Sequence, residues 1–229
     1  MIRTGTAPLM LFHREVQPDI GWRASIHRIP HYFALPSPEA LADILQQSAD
    51  TFLEIAQRDR MDQDLAALIA EAPDFAVGLT SQSTYHPLIS ATITDALNDR
   101  FGLSRGKRMQ IMTCLQEALS NAVIHGNLCV TGERDSLQGF EDFYQSVDNA
   151  LAEPQFQQKR VFIRAWDTKV SLRVCISHGG PGRINPLLLA PNNPLPEQKC
   201  GRGIFIIQSL AEQVHTNAEC NALDLSFTY

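Results

Sequence analysis

Glu117, Asn121 and His125 follow one another at intervals of four in the stretch LQEALSNAVIHGN. On a helix that interval places a carboxylate, an amide and an imidazole on one face. A carboxylate so placed can take a proton from a hydroxyl or a water. An Asn oxygen is a hard ligand suited to magnesium, which takes one or two protein oxygens and the rest from phosphate and water. The bland alternative is a solvated face, because polar stripes at this interval are common on surface helices.

Two glycine-rich stretches could meet a ligand. In CISHGGPGR, Gly179, Gly180, Pro181 and Gly182 end an alternating, strand-like run. Glycine lets backbone approach a flat ligand closely, but Gly and Pro also simply mark turns. In GRGIFIIQSL, Gly201 and Gly203 bracket Arg202 and open a helical pattern. Free N–H groups at a helix start favour anions, and an Arg adds charge for a phosphate. A flexible entry into a helix explains the same residues, and a lone Gly-x-Gly is weak.

The elements that must position these residues are readable from periodicity. Ser37 and Pro38 open a helical pattern whose inner face is Leu41, Ile44, Leu45, Ser48, Phe52 and Ile55, with Ser37 as cap and Pro38 at the first helical position. A second helix is predicted over 62–71. Phe75, Val77 and Leu79 alternate as a short strand. Helical spacing then returns over 87–102, 104–126 and 136–154. Strands are predicted on both sides of Asp167-Thr168-Lys169, a helix over 201–215, and a final strand from Leu223 to Tyr229. No strand–helix alternation of the kind that builds a doubly wound parallel sheet is evident. The fold expected is α/β, with a mixed or antiparallel sheet and helices on one face. Residues 1–73 read as a small, mainly helical attachment, and 74–229 as the main domain.

Composition narrows the class. The chain has 229 residues, 44% of them hydrophobic, and a formal net charge of -6. That predicts an ordinary core and gives no electrostatic reason to expect nucleic acid. No apolar run has membrane-spanning length, and the N-terminal apolar run is too short for a signal peptide. The five cysteines, Cys114, Cys129, Cys175, Cys200 and Cys220, are scattered and odd in number. They predict reduced thiols in the cytoplasm rather than a disulfide framework or a zinc site.

Taken in order, the three motifs resemble those of the GHKL ATPase superfamily, which includes gyrase, heat-shock chaperone ATPases, sensor histidine kinases and anti-sigma-factor serine kinases. EALSNAVIHGN and GRGIFIIQSLAEQV are most similar to the last group, and the resemblance covers about residues 74–229. It implies an α/β two-layer sandwich that binds ATP and Mg2+. It further implies that Glu117 is the general base, Asn121 the magnesium ligand, and His125 part of the nucleotide site. Gly180 and Gly182 would form the adenine-side turn, Gly201 and Gly203 would cradle phosphate with Arg202 beside them, and 183–200 would be a short lid. A sensor histidine kinase is disfavoured for want of a helical hairpin with a phospho-accepting His upstream. A topoisomerase or chaperone subunit is disfavoured by length. The insertion 127–158 is long for a minimal anti-sigma kinase.

The sequence departs from that pattern at His178, where the family carries Asp. An ionised carboxylate only accepts hydrogen bonds and so selects the adenine amine; a neutral imidazole keeps one acceptor nitrogen and loses it on protonation. The expectation is an ATP-binding regulatory protein that phosphorylates Ser or Thr on a small antagonist. Its partner would be a signalling protein, a sigma factor or an anti-sigma-factor antagonist, with no direct nucleic acid and no membrane. A homodimer is left open. The rival is a non-catalytic module that keeps the fold as a docking surface.

Overall fold

The computed structural model describes residues 9–13, 31–33, 41–43, 45, 51–55, 61–132, 136–184 and 202–229. Its frame is a mixed sheet. The strands are β1 (Leu9–His13), β2 (His31–Phe33), β3 (Thr51–Ile55), β4 (Phe75–Thr80), β5 (Arg160–Asp167), β6 (Ser171–His178), β7 (Gln213–Thr216) and β8 (Ala222–Thr228). They lie in the order β2-β1-β3-β4-β5-β6-β8-β7. Helices α1 (Met61–Leu68), α2 (Ser81–Thr84), α3 (Ile89–Phe101), α4 (Arg105–Asn121), α5 (Leu137–Ala152), α6 (Pro154–Gln157) and α7 (Arg202–Leu210) complete it. This is the α/β class, with a mixed sheet, that the pattern predicts.

The antiparallel half follows directly from sequence. Val161, Ile163 and Ala165 on β5 are buried, as are Leu172, Val174 and Ile176 on β6 and Leu223, Leu225 and Phe227 on β8. That is the period-two pattern of strands with one face in the core. Lys169, at φ 70°, turns the β5–β6 hairpin, and Val161 pairs with His178 at its open end. The next pairing, β6 with β8, sets Ser177 against Ala222.

The other half corrects two expectations. β1, β2 and β3 run parallel to one another, and β3 runs parallel to β4. The N-terminal attachment, expected to be mainly helical, therefore contributes three strands. Residues 41–43 and 45 are helical as predicted, but Thr51–Ile55 is a strand rather than the end of that helix. Phe52, Leu53 and Glu54 are all buried. A short run buried on both faces has no period-two signature and fits a helical wheel equally well. For the same reason the parallel arrangement is invisible in the sequence.

The helix that carries the first motif is built as expected. Ser104 caps it by accepting from the Lys107 N–H at 3.3 Å, and Gly102, at φ 65°, ends the helix before it. Ile111, Leu115, Ala118 and Ala122 are buried, the apolar stripe the spacing predicts. Truncating a buried leucine such as Leu115 costs about 2–5 kcal/mol in comparable cores. At the other end, helix is predicted through residue 215, but α7 stops at Leu210 and Val214 lies in β7. Val214 satisfies a helical and an alternating pattern alike. Among the described residues, no helix is long and apolar enough to cross a membrane.

Candidate functional site

Glu117 and Asn121 sit in the last two turns of α4, half-buried beside the apolar stripe. The first turn of α7 packs against them. A Cβ added at Gly203 would lie 2.6 Å from Glu117 Oε2 and 3.5 Å from Asn121 Nδ2. At that distance a methyl would have to push the carboxylate aside, so glycine here lets the helix start sit close against it. The first and third motifs, over eighty residues apart in sequence, are thus one site. Arg202 is exposed beside it. Gly201 and most of the expected lid, residues 185–200, fall outside the described residues.

The α-helical registry does not extend to His125. From Ala122 to Asn127 the chain is a π-helical turn, closed by the Leu128 N–H donating to Val123 O at 2.8 Å. The side chain of His125 is exposed and its Nδ1 lies 3.0 Å from Val130 O. Its backbone carbonyl lies against Gly182 of the second motif. π turns inside helices often mark functional sites because they reposition groups that an α-helix would hold in register.

That widened turn is where the second motif docks. The Gly182 N–H donates to Gly126 O at 3.0 Å. A Cβ on Gly182 would strike His125 O, and one on Gly180 would strike Gly126 O and Asn127 Cα. Gly180 and Gly182 are therefore required by backbone packing against the first motif, with or without a ligand. The Arg183 guanidinium ties the turn by donating from Nη1 to Gly180 O at 3.1 Å and to Gly182 O at 2.7 Å.

His178 is buried and lies on Gly126, where an added Cβ would be 2.6 Å from its Cδ2 and 2.7 Å from its Nε2. Its Nδ1 is enclosed and has no hydrogen-bond partner among the described residues, so in this position any contact with a ligand falls to Nε2. Burial pushes its pKa down to about 4, with help from the Arg183 and Lys159 cations. The ring is neutral at physiological pH. The expected weakening of ligand binding on protonation of His178 is thereby moved out of the physiological range.

Asn127 is a site residue that sequence reasoning missed. It is fully buried, and its Nδ2 donates to Ser81 Oγ at 2.9 Å and to Arg160 O at 3.0 Å. Arg160 O also accepts from the Gly179 N–H at 3.1 Å. One carbonyl thus fixes both the end of the first motif and the start of the second. Lys159 Nζ donates to Asn127 O at 3.0 Å. The only sequence signal was the final letter of VIHGN, which looks like an ordinary loop residue.

The N-terminal residues reach the same place through two buried carboxylates, Asp64 on α1 and Glu54 on β3. The Arg160 side chain is paired with Asp64, Nε to Oδ2 at 2.7 Å, with both side chains almost fully enclosed. Glu54 accepts from the Thr80 N–H at 2.8 Å and from Ser83 Oγ at 3.0 Å. A buried carboxylate persists in a protein only with such donors around it.

A helix start against a carboxylate and an amide, with a glycine turn locked on the same helix end, is an arrangement that can hold an anionic ligand beside a base. The model of the histidine kinase-like ATPase domain family matches residues 149–227. That segment includes His178, the Gly180–Gly182 turn and Gly203, and it does not reach α4. No curated protein matches the chain. It is residues 149–227, the stretch from the end of α5 to β8, that are similar to a histidine kinase-like ATPase domain.

Proposed function

We propose that the protein binds ATP with magnesium and transfers phosphate to a Ser or Thr hydroxyl of a small signalling antagonist, in the manner of the anti-sigma-factor serine kinases it resembles. The observation that carries this reading is the contact of Gly203 with Glu117 and Asn121. It supports a division of labour within one cleft. The first turn of α7 and Arg202 hold phosphate oxygens through N–H groups and charge. Asn121 offers its amide oxygen to magnesium. Glu117 takes the proton from the acceptor hydroxyl. ATP, when bound, supplies the phosphoryl group. The phosphate-side residues fit this ligand. On the base side, the neutral ring of His178 replaces an ionised acceptor and fits adenine less well. The reading places the protein in the cytoplasm.

The test is calorimetric titration with magnesium–ATP beside magnesium–GTP, followed by transfer assays of wild type and Glu117→Gln. The substitution keeps the side chain's shape and removes the base. Transfer should fall by roughly 10²–10⁴-fold while nucleotide affinity changes little. Unchanged turnover would remove Glu117 from the mechanism.

A second reading has its own observation. Gly180 and Gly182 are already needed for packing, and His178 Nδ1 faces protein. Both fit a non-catalytic module that retains the fold for docking a partner. Absence of heat with either nucleotide would favour this reading.

A further inference from the structure

Helix α5 has two unlike faces. Phe143, Val147 and Ala150 are buried against the core. On the outer face, Leu137, Phe140 and Tyr144 stand 78%, 48% and 38% exposed. They follow the i, i+3, i+7 spacing of a continuous stripe. The Phe140 and Tyr144 rings lie 4.7 Å apart, and Tyr144 is braced edge-on by Phe143 at 5.4 Å. The stripe is thus preorganised by a ring that is itself anchored in the core. Tyr85 closes one side: Tyr144 and Asp148 are near enough to add to the effect of burial in raising its phenol pKa. Three adjacent exposed apolar side chains, two of them aromatic, form a cluster of the composition that binding surfaces favour.

The charges on the helix are of one sign. It holds Glu141, Asp142 and Asp148 and no Lys, Arg or His. Asp142 is engaged by Gln138 Nε2 at 2.7 Å. Glu141 lies four residues beyond Leu137, and Asp148 four beyond Tyr144, so both carboxylates share the outer face. They are seven residues, or about 10.5 Å, apart along the axis. A second copy of this chain would set carboxylates against carboxylates, and an anionic membrane or a nucleic acid would meet the same repulsion.

We propose that the outer face of α5 docks a basic amphipathic helix of a partner protein. Leu137, Phe140 and Tyr144 are its apolar anchors, and Glu141 and Asp148 set its register through Lys or Arg spaced seven residues apart. The occupant is recognised as amphipathic helices generally are, by apolar residues at heptad-like spacing laid against an apolar stripe. This surface works whether or not the nucleotide cleft is active.

The test uses two synthetic helical peptides with the same leucine stripe, one carrying lysine and the other glutamate at the flanking i, i+7 positions. Each is titrated calorimetrically into the full chain. The lysine peptide is expected to bind at least about tenfold more tightly than the glutamate peptide, a ratio that like-charge exclusion can supply. The combined Leu137→Ser, Phe140→Ser, Tyr144→Ser variant should lose about tenfold or more of that affinity, and Glu141→Lys with Asp148→Lys should reverse the preference. Phe140→Ala alone, with circular dichroism on every variant, keeps the test valid if the triple variant unfolds. The proposal is overturned if neither peptide binds, if both bind equally, or if the serine variant binds the lysine peptide as wild type does. Wild-type self-association lost in that variant, or stripe-dependent binding to phosphatidylglycerol vesicles, would also overturn it.

Discussion

His178 and Gly126 form the contact on which the second motif rests, and each limits what the other can be. An added methyl at Gly126 meets the ring at 2.6 Å. Gly126→Ala should therefore destabilise the protein by about 1–3 kcal/mol, the range for overpacking. In a His178→Gly background much of that cost should vanish, and urea midpoints of the four proteins in a double-mutant cycle read the coupling. The ring also makes stability pH-dependent. Its folded pKa, about 4, lies below the ordinary 6.5. The unfolded chain takes a proton as pH falls below 6.5 and the folded chain refuses it. Stability from this residue is therefore complete above pH 6.5 and is lost down to about pH 4, on the order of 3 kcal/mol in all. Urea denaturation between pH 7 and pH 4 should show that slope in wild type and lack it in His178→Gln. On the proposed reading, an ionised acceptor at this position, His178→Asp, should tighten ATP binding by about tenfold, the worth of one good buried hydrogen bond. GTP should gain less, since guanine presents a carbonyl where adenine presents the amine.

At the scale of elements, the site is the seam between the end of α4 and the start of α7. Gly203→Ala should push the Glu117 carboxylate aside, because the atom it would meet is the mobile end of a side chain. The variant should fold with nearly wild-type stability and, on the proposed mechanism, lose at least tenfold in phosphoryl transfer, a separation visible by measuring thermal midpoint and turnover together. Both helices were legible in the sequence, because Ser104 caps one, glycines open the other, and each apolar stripe is regular. Glu117 and Asn121 were legible for the same reason. The π turn was not, since nothing in AVIHGN distinguishes it from one more α turn. The glycine turn that packs on it lies more than fifty residues further along the chain, beyond the reach of any local pattern. Asn127 was missed likewise, because its partners Ser81 and Arg160 are 46 and 33 residues away. Short strands such as Thr51–Ile55, with Phe52, Leu53 and Glu54 all buried, fail for a third reason, the lack of any periodic face.

At the scale of the molecule, helix α1 ties the N-terminal part of the chain to the candidate site. Asp64 holds the side chain of Arg160, whose carbonyl holds both Asn127 and Gly179. Asp64→Ala leaves a buried guanidinium unpaired and should cost about 3–5 kcal/mol. Chemical denaturation reads the loss, and amide exchange at Gly179 should accelerate beyond that of the β6–β8 pairs if the anchoring carbonyl loosens with its side chain.

β4 is the strand on which the two halves of the sheet meet, and its position has a consequence during synthesis. All six of its residues are buried. Its parallel neighbour β3 precedes it, but its antiparallel neighbour begins at Arg160, which pairs with Thr80. On a ribosome adding about 5–20 residues per second, that partner is made roughly 4–16 s after β4. For that interval the nascent chain carries an apolar strand with one open edge, the form of intermediate on which strand-to-strand aggregation starts. A chaperone that occupies this edge until the β5–β6 hairpin emerges, or a slower initiation rate that keeps nascent chains apart, should raise the yield of native protein more than any change to its final stability.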